Sequence, residues 1–285
     1  MALILSGRDA AISFKNRIKA KVQKRLEEGK NAPHLAAILV GDNPASSAYV
    51  RGKVRDCKEV GFKSTLIHLK DDVREEELIQ NIQLLNSNTE IDGYIVQLPL
   101  PDGINEKEIL LSIDPMKDVD GFHPENLGRM ALGLETFIPA TPYGILLLLE
   151  HYGIETTGKN AVVVGRSHIV GSPMSILLSS NIEFGNATVT LAHSRTKNLK
   201  EFTKNADILI AAVGKHSFID KNFIKDGAVV IDVGINRVFG KLHGDVDFDS
   251  VKDIVSAISP VPGGVGLMTR VGLLMNTLQA SYGRD

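Results

Sequence analysis

From residue 35 to residue 98, short apolar runs alternate with amphipathic stretches, and this rhythm restricts the fold severely. Leu35-Ala-Ala-Ile-Leu-Val40 is a buried strand closed by the turn Gly41-Asp42-Asn43-Pro44. A helix over 46–60, a strand near Ser64–Leu69, a helix near Arg74–Asn86 and the strand Gly93–Leu98 follow. Before them, Ala11, Phe14, Ile18, Val22 and Leu26 mark one buried stripe of a helix over 9–28, and Gly29 ends it. The order β-α-β-α-β predicts a right-handed parallel sheet, with ligands outside the C-terminal ends of its strands.

Several chemistry-bearing residues fall on that edge. Tyr49 and Lys53 lie four apart on one helix face, so phenol and ammonium can share a pocket. A lysine shielded from water loses part of its preference for the charged form and can trade protons near neutral pH. The spacing alone favours a solvated lysine beside a half-buried tyrosine. Gln97 ends an apolar strand, either as a polar end in water or as an amide aimed at the same pocket as Lys53. In Lys117-Asp118-Val119-Asp120-Gly121-Phe122-His123-Pro124 two acids sit in a tight loop without the further oxygen ligands of a calcium site. One of them could instead pair with a guanidine-like edge of a heterocycle.

Bulk properties remove other classes of function. A formal net charge of -2 gives no electrostatic case for nucleic acid or anionic membrane. No apolar run approaches the roughly 18 residues of a membrane span, and nothing at the N-terminus resembles a signal peptide. The expectation is a cytoplasmic protein. With one cysteine, Cys57, there is no intrachain disulfide and no cysteine-based metal site. Cys57 itself reads as a buried structural thiol. Asp245-Val-Asp247 also lacks companion metal ligands.

The chain changes character at Ile138-Pro139-Ala140-Thr141-Pro142. Thr141 is expected to cap a helix, with Pro142 at its first position and an apolar body over Tyr143–Tyr152. Next comes Asn160–Val164 as a buried strand, Gly165 as a turn and Val170–Ser180 as a helix. This strand–glycine–helix order opens a dinucleotide site, although a plain βα turn fits it equally. Gly165 takes the first position of G-x-G-x-x-G, with Ser167 and Val170 at the other two. The strand Thr188–Ala192 ends in His193-Ser194-Arg195-Thr196, without the acid that binds an NAD ribose. With Arg166, this favours a 2'-phosphate and hence NADP. Two more strands, over 207–213 and 228–233, give a parallel sheet of at least four strands, and Lys241–Gly244 reads as a hairpin or loop. Pro260-Val-Pro-Gly-Gly-Val-Gly266 is a stiff loop with bare amides, suited to close approach of a ligand. A helix over Met268–Tyr282 closes the chain.

Seven segments, in order, make this chain resemble the bifunctional methylenetetrahydrofolate dehydrogenase/methenyltetrahydrofolate cyclohydrolase family. They are Tyr49-Val50 with Lys53; Gln97-Leu-Pro-Leu-Pro101; Asp118-Val-Asp-Gly-Phe-His123; and Thr141-Pro142 with Gly144. The others are Val164-Gly-Arg-Ser167 with Ile169-Val-Gly171 and Pro173; His193-Ser194 with Thr196; and Pro260–Gly266. The resemblance implies two α/β domains flanking a cleft. The first, 1–138, would bind tetrahydrofolate derivatives and receive the helix 268–285. The second, 139–267, would be a Rossmann-like NADP domain through which a homodimer forms.

The resemblance also implies roles. Lys53 would handle protons in the cyclohydrolase step, Tyr49 would stack on the folate, Gln97 would hydrogen-bond Lys53, and Asp120 would anchor the pterin edge. Leu98, Gly263 and Gly266 would complete the substrate site, the glycines in a loop closing over it. Arg166, Ser167 and Ser194 would hold cofactor phosphates beside Gly165, Ile169, Val170 and Arg195. Ile235 and Thr269 would line the nicotinamide and ribose side. Two departures stand out. Leu267 replaces a proline expected at the first position of the last helix, and Ala140 replaces a frequent cysteine. A short-chain dehydrogenase also carries Tyr-x-x-x-Lys, but after its glycine-rich fingerprint, whereas here the pair precedes it. A dehydrogenase-only relative or a silent folate- or NADP-binding protein would be expected to lack Lys53 or Gln97, and both are present.

Overall fold

The computed structural model describes residues 2–283. In chain order the elements begin with β1 (Leu3–Ile4), α1 (Gly7–Glu27), β2 (His34–Val40), α2 (Pro44–Val60), β3 (Lys63–Leu69) and α3 (Glu75–Ser87). Next are β4 (Gly93–Val96), α4 (Glu106–Leu111), α5 (Pro124–Ala131), α6 (Ala140–Tyr152), β5 (Asn160–Val164), α7 (Gly171–Ser179) and β6 (Thr188–Ala192). The chain ends with α8 (Leu199–Thr203), β7 (Ile208–Ala211), β8 (Val229–Asp232), β9 (Asn236–Val238), β10 (Lys241–His243), α9 (Phe248–Val251), β11 (Ala257–Ile258) and α10 (Val265–Tyr282).

Two compact units result. One comprises Ser13–Met130, Leu134–Ala140 and the chain from Arg270 onward. Its sheet is parallel, in the order β3-β2-β4. β2 is central and buried almost throughout, which is why its sequence is a continuous apolar run rather than an alternating one. Ala36, Ile38 and Val40 pack against Leu78, Ile82 and Leu85 of α3 and Tyr94 of β4. The Tyr94 hydroxyl donates to Asn86 Oδ1 at 2.5 Å, so its polar end is satisfied inside the core.

The other unit comprises Thr141–Thr269, Ala131–Gly133 and the N-terminal segment through Ile12. Its six parallel strands run β1-β11-β8-β7-β5-β6. The strand order reverses between β5 and β7, because β6 lies on the other side of β5. In a doubly wound sheet a ligand binds at this reversal, outside the carboxyl ends.

Three local expectations are corrected, and one is made definite. Residues 1–12 were expected with the first domain, but β1 hydrogen-bonds to β11 in the six-stranded sheet. Thr141 is not a cap, because α6 already begins at Ala140. Val265 and Gly266 lie in the first turn of α10 rather than in a loop. Leu267 is therefore its third residue and not its first. The Leu267 N–H donates to Gly264 O at 3.2 Å, a bond that the family proline could not make. The segment over 236–243 is a true antiparallel hairpin, β9–β10.

Candidate active site

α2 positions the first group of residues. Asn43 Oδ1 accepts from Ala45 N and Ser46 N, Pro44 opens the helix, and Gly61 closes it in a left-handed conformation. Tyr49 and Lys53 thus share one face, with the Lys53 ammonium 5.1 Å from the Tyr49 ring centre. Lys53 is 5% exposed. Its Nζ lies 3.3 Å from Gln97 Oε1 and 4.0 Å from Asp120 Oδ2.

Gln97 extends the ladder of β4 by one residue, its N–H donating to Ile38 O. Its Nε2 donates to Leu98 O at 2.7 Å, which leaves Oε1 facing Lys53. A cis Leu98–Pro99 peptide then turns the chain. Asp118 and Asp120 have separate jobs. Asp118 Oδ2 accepts from His123 N at 2.7 Å and Asn126 Nδ2 at 3.1 Å, so it holds the loop together. Burial pushes its carboxyl up to about 6 despite those bonds. Asp120 points to Lys53. A Cβ on Gly121 would lie 2.7 Å from Pro139 N, so only glycine lets the loop turn this closely.

The electrostatics of the pair are set by burial. It lowers the Lys53 pKa, while Asp120 acts in the opposite direction. It raises the Asp120 pKa, opposed by Lys53. A neutral amine can therefore exist here nearer to neutral pH than on a free lysine, with one N–H engaged by Gln97 and a lone pair available for a proton. Cys57, one turn further on, is fully buried and its thiol is pushed up to about 12, first by burial and then by Asp56. It is not a nucleophile near neutral pH.

Sequence reasoning missed the residues that immobilise α2. Arg270 Nη1 lies 3.1 Å from Asp56 Oδ2, and Lys15 Nζ lies 2.6 Å from Asp56 Oδ1. A Cβ on Gly52 would meet the Arg270 guanidinium at 2.5 Å. Nothing local marks Arg270 or Asp56, since their partners come from distant parts of the chain. A 710 Å³ cavity of this unit lies elsewhere, lined by Asn86, Asp114, Met116, Phe137 and Tyr282 among others, and none of Tyr49, Lys53, Gln97 or Asp120 borders it.

The second group of residues lies in the six-stranded unit. Gly165 follows β5 with φ 122°, and a Cβ there would lie 2.0 Å from Ala212 O. A Cβ on Gly171, at the start of α7, would lie 1.9 Å from Gly165 O. Gly171, not Val170, is thus the close-packing glycine of the turn, one residue later than G-x-G-x-x-G would place it. Between them Arg166, Ser167 and Ile169 are exposed and Val170 is half-buried. Ser167 Oγ accepts from Val170 N at 3.2 Å. Past β6, Ser194 and Arg195 are exposed, and His193 N donates to Thr196 Oγ1. Ile235 is 59% exposed beyond β8. Thr269 Oγ1 donates to Val265 O and meets Thr141 Oγ1 at 3.1 Å. Gly263 has φ 106°. The tight turn, the helix N-terminus and the exposed Arg166 and Arg195 fit the pyrophosphate and a 2'-phosphate of NADP. No group of three or more His, Cys, Asp or Glu residues able to hold a metal ion occurs among the described residues. No helix among them is long and apolar enough to cross a membrane.

Comparison with known proteins covers both units. The family model for the tetrahydrofolate dehydrogenase/cyclohydrolase catalytic domain matches residues 5–120, and that for the NAD(P)-binding domain of the same family matches 139–284. The chain is 55% identical over 285 residues to the bifunctional protein FolD of Cytophaga hutchinsonii, covering 98% of each chain. It is 44% identical to the crystal structure of the bifunctional enzyme FolD, methylenetetrahydrofolate dehydrogenase/cyclohydrolase, of Campylobacter jejuni, with a TM-score of 0.95 and all of both chains covered. The Trypanosoma brucei methylenetetrahydrofolate dehydrogenase-cyclohydrolase, solved with NADP and an inhibitor, is 33% identical with a TM-score of 0.92, covering 99% of this chain and 98% of that one.

Proposed function

The chain belongs to the tetrahydrofolate dehydrogenase/cyclohydrolase family, and we propose that Lys53 is the proton-transfer centre of its hydrolytic step. The protein is a bifunctional one-carbon folate enzyme. It oxidises 5,10-methylenetetrahydrofolate to the methenyl compound with NADP+ and hydrolyses that product to 10-formyltetrahydrofolate. The observation that carries the assignment of Lys53 is its burial at hydrogen-bonding distance from Gln97 and 4.0 Å from Asp120.

NADP+, when bound, accepts the hydride. In the first step the protein needs no strong base, since the two nitrogens flanking the methylene carbon stabilise the methenyl cation that forms as its hydride leaves. The protein's share is orientation. Gly165, Gly171 and the exposed Arg166, Ser167, Ser194 and Arg195 hold the phosphates. Ile169, Val170, Ile235 and Thr269 line the remaining cofactor surface. Tyr49 stacks on the folate, Asp120 anchors the pterin edge, and Leu98, Gly263 and Gly266 complete the substrate site.

In the second step water adds to the methenyl carbon. Neutral Lys53 takes a proton from that water as the C–O bond forms. It returns the proton to the ring nitrogen as the C–N bond breaks, and the remaining hydroxyl proton leaves to solvent as the formyl C=O forms. Gln97 holds the amine in place through its accepting oxygen. We also read the protein as a cytoplasmic homodimer associating through the six-stranded unit, a reading supported by the partly exposed edge strand β6, where Leu191 is 37% exposed. Light scattering of the purified protein tests the stoichiometry.

The decisive assay mixes protein with 5,10-methylenetetrahydrofolate and NADP+ and follows NADPH and methenyl absorbance together. NADPH formation with methenyl decay faster than the buffer blank is expected. Accumulating methenyl product would leave a dehydrogenase with a silent Lys53. Absence of both signals would defeat the enzyme assignment.

The pH profile tests Lys53 separately. The neutral amine is the active form, so hydrolysis above the blank should rise with pH through a midpoint below the ordinary lysine value of 10.5. Asp120 holds that midpoint up. Asp120→Asn should therefore move the rising limb to lower pH, while raising the folate KM. A limb that stays in place or moves to higher pH would exclude Lys53 as the titrating base.

A further inference from the structure

Two carboxylates of the six-stranded unit take no part in the chemistry above, yet both are buried. Asp232 ends β8 and is 4% exposed, and Asp245 is fully buried. Asp232 Oδ1 accepts from Gly234 N at 3.0 Å and Asp245 N at 2.9 Å, and its Oδ2 accepts from Val246 N at 3.0 Å. Asp245 Oδ2 accepts from Val213 N at 2.5 Å and Gly214 N at 2.9 Å. Its Oδ1 accepts from Lys215 N and Asn236 Nδ2, each at 2.9 Å.

Three successive amides, with Gly214 at φ 70°, form a nest of the kind that binds anions. Here the nest is filled by the protein's own carboxylate. The fit is built in at two further glycines. A Cβ on Gly234 would lie 2.2 Å from Asp245 Oδ1, and a Cβ on Gly244 would lie 1.7 Å from Asp232 Oδ2.

The place of this knot gives it meaning. The loop Val213–Lys215 leaves β7, and β7 and β5 flank the reversal of strand order where a dinucleotide is expected. Ala212 already touches the Gly165 turn through its carbonyl. The segment 234–236 leaves β8 with Ile235 turned outward. Both neighbours of Ile235 are tied to the knot: the Gly234 N–H to Asp232, and the Asn236 side chain to Asp245.

We propose that Asp245, supported by Asp232, is a positioning residue for hydride transfer: it fixes the loops after β7 and β8 so that Ile235 and the Val213–Lys215 backbone set the orientation of the cofactor's nicotinamide end. This rests on the function proposed above. The phosphate cradle between Gly165 and Gly171 makes none of these bonds. Loosening the knot should therefore spoil orientation more than affinity, and misplacement of a reacting group by about 1 Å costs about 100-fold in rate.

The test uses the full-length protein with two variants. Asp245→Asn replaces an accepting oxygen by a donor facing N–H groups. Asn236→Ala is the milder change, removing one donor and leaving the three backbone bonds to Asp245. For each variant, kcat of NADP+ reduction, the Kd of NADP+ by titration calorimetry and the rate of methenyl hydrolysis are measured. The expected result is a fall in dehydrogenase kcat of about 30-fold or more for Asp245→Asn and about threefold to tenfold for Asn236→Ala. The NADP+ Kd should stay within about threefold, and hydrolysis within about twofold. Should Asp245→Asn fail to fold, Asn236→Ala decides alone. An unchanged kcat in folded Asn236→Ala would overturn the proposal, as would kcat, affinity and hydrolysis all falling together. A wild-type protein without NADPH formation would remove the functional reading and this inference with it, whereas an active wild type with unaffected variants removes only the inference.

Discussion

Lys53→Met should lower methenyl hydrolysis by about 10²–10⁴-fold, the usual contribution of a positioned acid–base group, while the protein stays folded. Methionine keeps the unbranched shape of the lysine stem but has no proton to exchange. Dehydrogenation should suffer far less, because it asks no proton of Lys53, so methenyl product should accumulate beside NADPH. Stability carries a second signature. The substitution leaves Asp120 without the positive charge that opposes its upward shift. Its folded-state pKa then rises further above the unfolded value, and the folded state binds the proton more tightly than the unfolded chain does. Such a group favours folding at low pH and loses that benefit as pH climbs through the folded pKa. The variant's Tm should therefore gain on wild type as pH is lowered. Hydrolysis within threefold of wild type in a folded variant would end the case for Lys53.

The strands and the edge on which chemistry gathers were legible because local signals agreed with one another. Leu35–Val40 is apolar because β2 is buried on both faces. The placement of Tyr49, Lys53 and Gln97 at one edge followed from helix periodicity and parallel topology alone. What stayed hidden was either too short or too distant for such reasoning. β1 has two residues, too few to show a period, and its partner β11 lies at the other end of the chain. The start of α6 was misplaced because Thr141-Pro142 is a strong local start signal that the helix overrides by beginning at Ala140, two residues before Pro142. Gly171 escaped because the spacing from Gly165 is one residue longer than the motif. Asp232 fell inside the expected strand 228–233, and Asp245 stood out only as lacking companion metal ligands. Only the fold brings their carboxylates to the backbone of three loops, and the glycines at 214, 234 and 244 were the one local hint.

Gly171→Ala should produce the converse of the Lys53 result: loss of NADP-dependent oxidation with hydrolysis retained. The added methyl would be placed 1.9 Å from Gly165 O, against backbone and not against the end of a flexible side chain. Real contacts require more than an ångström of further separation, so either the first turn of α7 or the Gly165 turn has to move. Gly165 cannot retreat freely, since its own α-carbon faces Ala212 O across a gap that would hold a Cβ at only 2.0 Å. Overpacking of this kind costs about 1–3 kcal/mol, enough to lower Tm by several degrees without unfolding the protein at assay temperature. The functional loss is larger, because the displaced amides are those that would face the pyrophosphate at the helix N-terminus. kcat/KM for NADP+ should fall by about 100-fold, mostly through KM, unlike the kcat effect expected on loosening Asp245. Hydrolysis needs no cofactor, and Lys53, Gln97 and Asp120 belong to the other unit, so its rate should stay within about twofold. An unchanged KM for NADP+ would show that the Gly165–Gly171 turn is not the phosphate cradle. A parallel loss of both activities would mean that the substitution acts through general destabilisation and that the two functions are not separable by unit.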